Sequence, residues 1–225
     1  FAGYFGEVGR PFGEAEHAEL KRLCDDYNIE FMSTPFDDEA TDYLDRVGIR
    51  AYKIASCDVT NHPLLQHVGS KRKIVMLSTG AASLDEIQQA VNVLEEAGTN
   101  KIVIMHCNLK YPTDAQDINL SMIASIREKF GSKYIMGLSD HTRQVETPSF
   151  AVMLGANVVE KHYTVDKTLG KSADHWLSVD PEEVKEIVRI CLQYETPIIP
   201  FGTGTSLEGH VAALQGGICV DFSRM

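Results

Sequence analysis

Six apolar or β-branched runs recur along this chain at similar intervals, and they restrict its fold more than any other feature. They begin at Ile29 ("IEFMSTPF"), Ala51 ("AYKIAS"), Lys73 ("KIVMLSTG"), Lys101 ("KIVIMHCN"), Lys133 ("KYIMGLSDHT") and Asn157 ("NVVEKHYTVD"), 22 to 32 residues apart. Several are continuously hydrophobic, as strands buried on both faces are. Helical patterns lie between them. In "ASLDEIQQAVNVLEEAG" Ser83 is placed to cap, Glu86 completes an S-x-x-E box and Gly98 stops the helix. "DDEATDYLDRVG" stops in the same way at Gly48, and "NLSMIASIREKF" and "TPSFAVMLG" supply two more crossovers, the second with Pro148 near its start.

Strand, helix, strand at this period means βα units and a parallel sheet. Each run also ends in side chains able to do chemistry: Ser33 and Asp37, Lys53 and Ser56, Ser78, His106 and Asn108, Ser139 and His141, Glu160 and His162. A doubly wound sheet needs functional residues only beside its switch point, whereas a (β/α)₈ barrel gathers all its strand ends at one mouth. The expected fold is therefore α/β of the (β/α)₈ TIM-barrel type, incomplete at six βα units. A short Gly-rich segment follows it, beyond the helix "DPEEVKEIVRICLQYE". The expected division is residues 1–190 for the partial barrel and 191–225 for the segment.

Composition narrows the function. A formal net charge of −11 and a pI near 5.1 argue against a nucleic-acid or anionic-membrane partner. The chain has no run of eighteen apolar residues and no signal-peptide pattern at its start. Its five cysteines are scattered without CxxC spacing, which suggests a reducing cytoplasm rather than a disulfide framework. An opening on Phe1 rather than methionine reads as a fragment of a longer chain.

His141 and His162, leaving neighbouring strand ends, would meet at one divalent ion. Asp140 and Glu160 would hold its waters, and open coordination positions would remain for substrate. Lys53, Ser56, Ser78 and Ser139 bring one ammonium and three hydroxyls to three strand ends, a set suited to a phosphate or carboxylate, although the serines of "IAS" and "LSTG" equally suit plain strand-to-loop turns. In "KSADHWLS" the acid Asp174 stands near the only tryptophan, a pairing that suits sugar hydroxyls and equally suits a solvated loop.

The ordered motifs "STPFD", "YKIAS", "LSTG", "HC…YPT", "GLSDHT", "EKHYT" and "DH..S" resemble the sialic acid synthase (N-acetylneuraminate synthase) family over about residues 15–188. That resemblance implies a (β/α)₈ barrel and a transferase condensing phosphoenolpyruvate with N-acetylmannosamine or a related amino sugar. It also implies a divalent metal, Mn2+ or Mg2+, which polarises the sugar aldehyde while C3 of phosphoenolpyruvate attacks. By residue, it implies His141 and His162 as metal ligands and Lys53, Ser56, Ser78 and Ser139 as phosphoenolpyruvate contacts. Tyr111 and Asp174 fall near the amino sugar, and Glu160 and Lys53 are the catalytic pair. Asn108 is the candidate for the family's asparagine before "YP", although Leu109 and Lys110 stand directly there. The family's first two strands and its C-terminal antifreeze-like domain have no counterpart, so an incomplete barrel and a homo-oligomer are expected.

Residues 196–225, with "IPFGTGTSLEGH" and "GGICVDFSRM", resemble the flavin-binding segment of FAD-linked D-lactate dehydrogenases and glycolate oxidases. There Gly202, Gly204, Thr205 and Ser206 would approach an FAD pyrophosphate. Two alternative readings follow: a fragment of an FAD-linked 2-hydroxy-acid oxidoreductase, or a non-catalytic oligomerising protein.

Overall fold

Residues 13–27, 29–99, 101–169, 173–193, 198–202 and 218–222 are described by the structure, a computed structural model. Helix α1 (Glu14–Asp26) opens with the Gly13 N–H donating to the Glu16 carboxylate at 2.9 Å. In α2 (Asp38–Val47) the Asp37 carboxylate accepts from the Ala40 N–H, and Gly48 closes the helix in the left-handed region at φ 90°. Strand β1 (Ala51–Ile54) and a 3-10 turn over Ser56–Asp58 lead into α3 (His62–Ser70) and β2 (Ile74–Ser78). Helix α4 (Leu84–Ala97) has the expected box: the Ser83 hydroxyl accepts from the Glu86 N–H, Glu86 accepts from the Ser83 N–H, and Gly98 ends it.

The alternation continues through β3 (Ile102–Cys107), α5 (Met122–Phe130), β4 (Ile135–Asp140), α6 (Thr147–Met153) and β5 (Val158–Lys161). The short α7 (Ala173–Trp176) and α8 (Pro181–Gln193) follow. Beyond them, β6 (Ile198–Gly202) and β7 (Ile218–Phe222) form a separate parallel pair, with β7 beside β5.

Strands β1 to β5 form one parallel sheet in chain order. Right-handed crossovers in unbroken sequence keep every connecting helix on the same face, which bends the sheet into an arc. The fold is thus α/β, an open half-barrel. Five strands form it, not the expected six. The first run, from Ile29, contributes only one bridge, Ser33 to Tyr52, with the Lys53 N–H donating to the Ser33 carbonyl at 3.3 Å. Pro35, which has no N–H, stands two residues on and stops the pairing from extending. Phe31 and Met32 are nevertheless fully buried, so the run keeps a strand's place without a strand's ladder.

The two faces carry separate cores. Tyr52, Ile54, Leu77, Ile104 and Leu138 point outward and pack under the helices against Leu65, Leu94 and Ile126. Ala51, Met76, Val103, Met105 and Val158 point inward and fill the concave side with Met32. Burying each large aliphatic contributes about 1.5–3 kcal/mol, so both faces of these strands must be apolar. That requirement explains why the runs read as continuous stretches.

Candidate active site

Alternation along each strand decides which ends face the mouth. In phase with the inner core come Lys53 on β1, Ser78 on β2, Cys107 on β3, Ser139 on β4 and Glu160 on β5. Cys107, Ser139 and Glu160 lie in one cross-strand row. His141 and His162 follow in the same phase, one step beyond their strands.

On one side of the mouth lies a cationic group among hydroxyls. Lys53 is only 8% exposed; its ammonium donates to the Ile54 carbonyl at 3.2 Å and stands 3.5 Å from a Glu160 oxygen. These residues sit on the first and last strands of the arc. In a flat sheet their backbones would be about 19 Å apart, so their meeting measures how tightly the sheet curls. Ser139 donates to the same Glu160 oxygen at 2.6 Å. Ser56 accepts the Gly80 N–H at 2.9 Å and its hydroxyl also hydrogen-bonds the Cys107 sulfur. The Ser78 hydroxyl is buried with no partner among the described residues. Gly80 is required here, because a Cβ would fall 2.9 Å from the Cys107 carbonyl oxygen.

Burial alone would push the Glu160 carboxyl up. The charge of Lys53, the Ser139 hydroxyl and the two imidazoles outweigh it, and the net shift is below the ordinary carboxylate value. Glu160 is an anion facing a buried cation.

On the other side stand the imidazoles, with ring centroids 5.3 Å apart. The Asn108 carbonyl lies 2.6 Å from Nδ1 of His141, so Nδ1 carries the proton and Nε2 presents a lone pair. The Tyr111 hydroxyl donates to that Nε2 at 2.7 Å, its ring tilted 30° against His141 at 3.8 Å and edge-on to His162 at 5.6 Å. Asp174, on α7, has a carboxylate oxygen 3.7 Å from Nδ1 of His162. The backbone of His162 is fixed by a parallel bridge in which its carbonyl accepts the Val179 N–H.

Lys53, Ser56, Ser78, Ser139, Glu160, Tyr111, Asp174, His141 and His162 therefore gather at one mouth. Asn108 serves it through its backbone, for its side chain donates to the Asp117 carbonyl. Asp140 does not reach the imidazoles as expected: one residue out of phase, it points outward to Lys161. His106 is also out of phase and contacts the Ile118 carbonyl at 2.8 Å. Asp37 caps α2, and Ser33 stands 3.5 Å from His17. Gly202 ends β6, while Gly204, Thr205 and Ser206 lie outside the described residues. The sequence reading overlooked Cys107, whose sulfur lies 3.9 Å from His141 Nδ1; its phase with Ser78 and Ser139 was the available signal.

No group of three or more His, Cys, Asp or Glu in ligating geometry occurs among the described residues. Two imidazoles are nonetheless a fitting donor set for a catalytic divalent ion. The Nδ1–H of His141 is held by a carbonyl, the arrangement that orients metal-ligating histidines, and Nε2, which here accepts from Tyr111, is the nitrogen a metal would take.

Comparison with known proteins identifies relatives of the chain and of its fold. The chain is 38% identical over 187 residues to N,N'-diacetyllegionaminic acid synthase of Legionella pneumophila, covering 81% of this chain and 52% of that protein. It spans about half the length of the curated relatives it matches. The N-acetylneuraminic acid (sialic acid) synthetase of Leptospira borgpetersenii, solved with citrate, superposes with a TM-score of 0.76 at 37% identity. That match covers 81% of this chain and 62% of the other. A truncated 3-deoxy-D-arabino-heptulosonate 7-phosphate synthase from Thermotoga maritima shares the fold at 16% identity, with a TM-score of 0.73 over 93% of this chain and 76% of that one. Residues 178–225 match an FAD binding domain family. Residues 9–198 match the NeuB family, and the chain belongs to it.

Proposed function

We propose that this chain carries the phosphoenolpyruvate- and metal-facing half of a synthase that joins phosphoenolpyruvate to an open-chain amino sugar, N-acetylmannosamine or a relative, to give a nonulosonate. One observation carries the reading: a buried lysine–serine cradle and a pair of imidazoles share one mouth, bridged by Glu160. Lys53 neutralises one anionic end of phosphoenolpyruvate, the Ser78 hydroxyl, which has no partner among the described residues, donates to its oxygens, and Ser56 turns its proton from Cys107 to the ligand. Ser139 and Glu160 lie between the cradle and the imidazoles, where Glu160 accepts a proton from a water adding to the substrate. Tyr111 and Asp174 line the sugar side.

His141 and His162 would hold a divalent metal, Mn2+ or Mg2+, which when bound supplies Lewis-acid polarisation of the sugar aldehyde. Most of the acceleration on this reading comes from orienting two substrates in a water-poor mouth. Self-association and a cytoplasmic setting belong to the same reading. No helix among the described residues is long and apolar enough to cross a membrane.

The test is phosphate release from phosphoenolpyruvate in the presence of the amino sugar and Mn2+. Lys53→Met should abolish both turnover and phosphoenolpyruvate binding by calorimetry. Wild-type binding affinity in that variant would reject the cradle.

The FAD binding domain match favours a second reading for the C-terminal part. On it, residues 1–190 are a synthase unit joined to a flavin-segment fragment at 191–225. Bound FAD would appear as visible flavin absorbance in the purified chain, and its absence after reconstitution would reject this reading.

A further inference from the structure

Behind the two inward-facing histidines, on the opposite face of the sheet, the fold buries an ion pair that the proposed chemistry does not use. Asp140 immediately precedes His141 and Lys161 immediately precedes His162, and the two are direct cross-strand partners. Their side chains leave the outer face of the sheet while the histidines leave toward the mouth. The Lys161 ammonium is fully buried, 2.7 Å from the Asp140 carboxylate. It also donates to the Thr142 carbonyl at 2.5 Å and approaches the Thr142 hydroxyl and the Gln144 carbonyl, each at 3.3 Å. The other Asp140 oxygen accepts the Thr142 N–H at 2.8 Å, and the Thr142 hydroxyl reaches Thr147 at the start of α6 at 3.1 Å.

We propose that Asp140 and Lys161 are positioning residues for the metal centre. Their buried pair fixes the register and exit direction of both strand ends, and so sets the spacing of the His141 and His162 rings. A pair this enclosed is costly to desolvate, and apolar residues would stabilise the same space at least as well. What apolar residues would not supply is direction. Lys161 ties β5 to β4 and to the loop that carries His141 out of β4, so neither strand end can shift against the other without breaking a charged hydrogen bond. The loop is fastened at both ends, by Asp140 to Thr142 and by Thr142 to α6.

This inference rests on the synthase reading, in which the two histidines hold the ion. In the full chain, Mn2+ affinity is measured from loss of the free-ion EPR signal, and Co2+ is added to read the ligand field from its visible bands. Lys161→Met, and Asp140→Asn as the milder variant, should weaken Mn2+ binding about 10- to 100-fold. Both should shift the Co2+ bands while circular dichroism shows a folded protein. Asp140→Asn with Lys161→Gln, a neutral amide pair, should recover part of the affinity. Leu94→Ala, which loosens the helix side of the sheet, should leave the affinity of the folded protein unchanged. Wild-type affinity and Co2+ bands in folded Lys161→Met or Asp140→Asn would overturn the positioning role alone. Wild-type affinity in His162→Ala, or no Mn2+ binding by the unaltered chain, would overturn the synthase reading and this inference with it.

Discussion

Ser78 holds a buried hydroxyl that meets no partner among the described residues, an arrangement that costs the free protein and benefits only a ligand-bound one. Ser78→Ala should therefore leave stability unchanged or raise it by about 1 kcal/mol in urea melts, while phosphoenolpyruvate affinity falls about 10-fold. His106 shows another cost of burial. Loss of solvation pushes its pKa below the ordinary 6.5, only partly opposed by the Ile118 carbonyl. The unfolded chain therefore takes up a proton at this ring before the folded chain does. The stability linked to His106 is complete above the unfolded value and is lost as pH falls from there through the folded one. His106→Gln should flatten the decline in urea midpoint as pH falls below about 6.5 relative to wild type. Both residues were named from the sequence as strand-end chemistry, yet only Ser78 reaches the mouth. His106 stands one residue out of phase with it, and a strand's phase is hidden when both its faces are apolar.

Elements were legible wherever local chemistry dictated them. Ser83, Glu86 and Gly98 bounded α4 because capping is a matter of a few neighbouring atoms. Ser83→Ala should cost about 1 kcal/mol, and Leu94→Ala, which empties a fully buried contact on the same helix, about 2–5 kcal/mol in chemical denaturation. Helix α3 was not expected, for "HPLLQHVGS" is short and Pro63 at its start reads as readily as a turn. Strands β4 and β5 show where pattern reading stops. "SDH" and "EKH" each place an acid near a histidine, and Asp140 and Glu160 look equivalent. Counted back from the histidine, Glu160 is two residues away and shares its face, whereas Asp140 is one away and cannot. The expected water-holding role of Asp140 fails on that parity, and the buried partnership with Lys161 follows from it.

At the scale of the molecule, the barrel type was readable because sequential βα units with right-handed crossovers admit few arrangements. The count was not: the run at Ile29 makes a single bridge, and although Pro35 marks where its ladder stops, how little of the earlier run pairs depends on what lies beside it. A ligand that bridges the arc should act on all of it. Phosphoenolpyruvate at about 100 times its dissociation constant should add about 2.7 kcal/mol to the unfolding free energy and raise the melting temperature accordingly. Lys53→Met should erase that increment in calorimetric scans. The contact between Lys53 and Glu160 has a kinetic consequence too. Its two halves are synthesised far apart in time, and neither finds the other until every intervening strand has docked. A nascent chain emerging from the ribosome lacks this contact at every length short of Glu160, so its first appearance marks the completion of the arc.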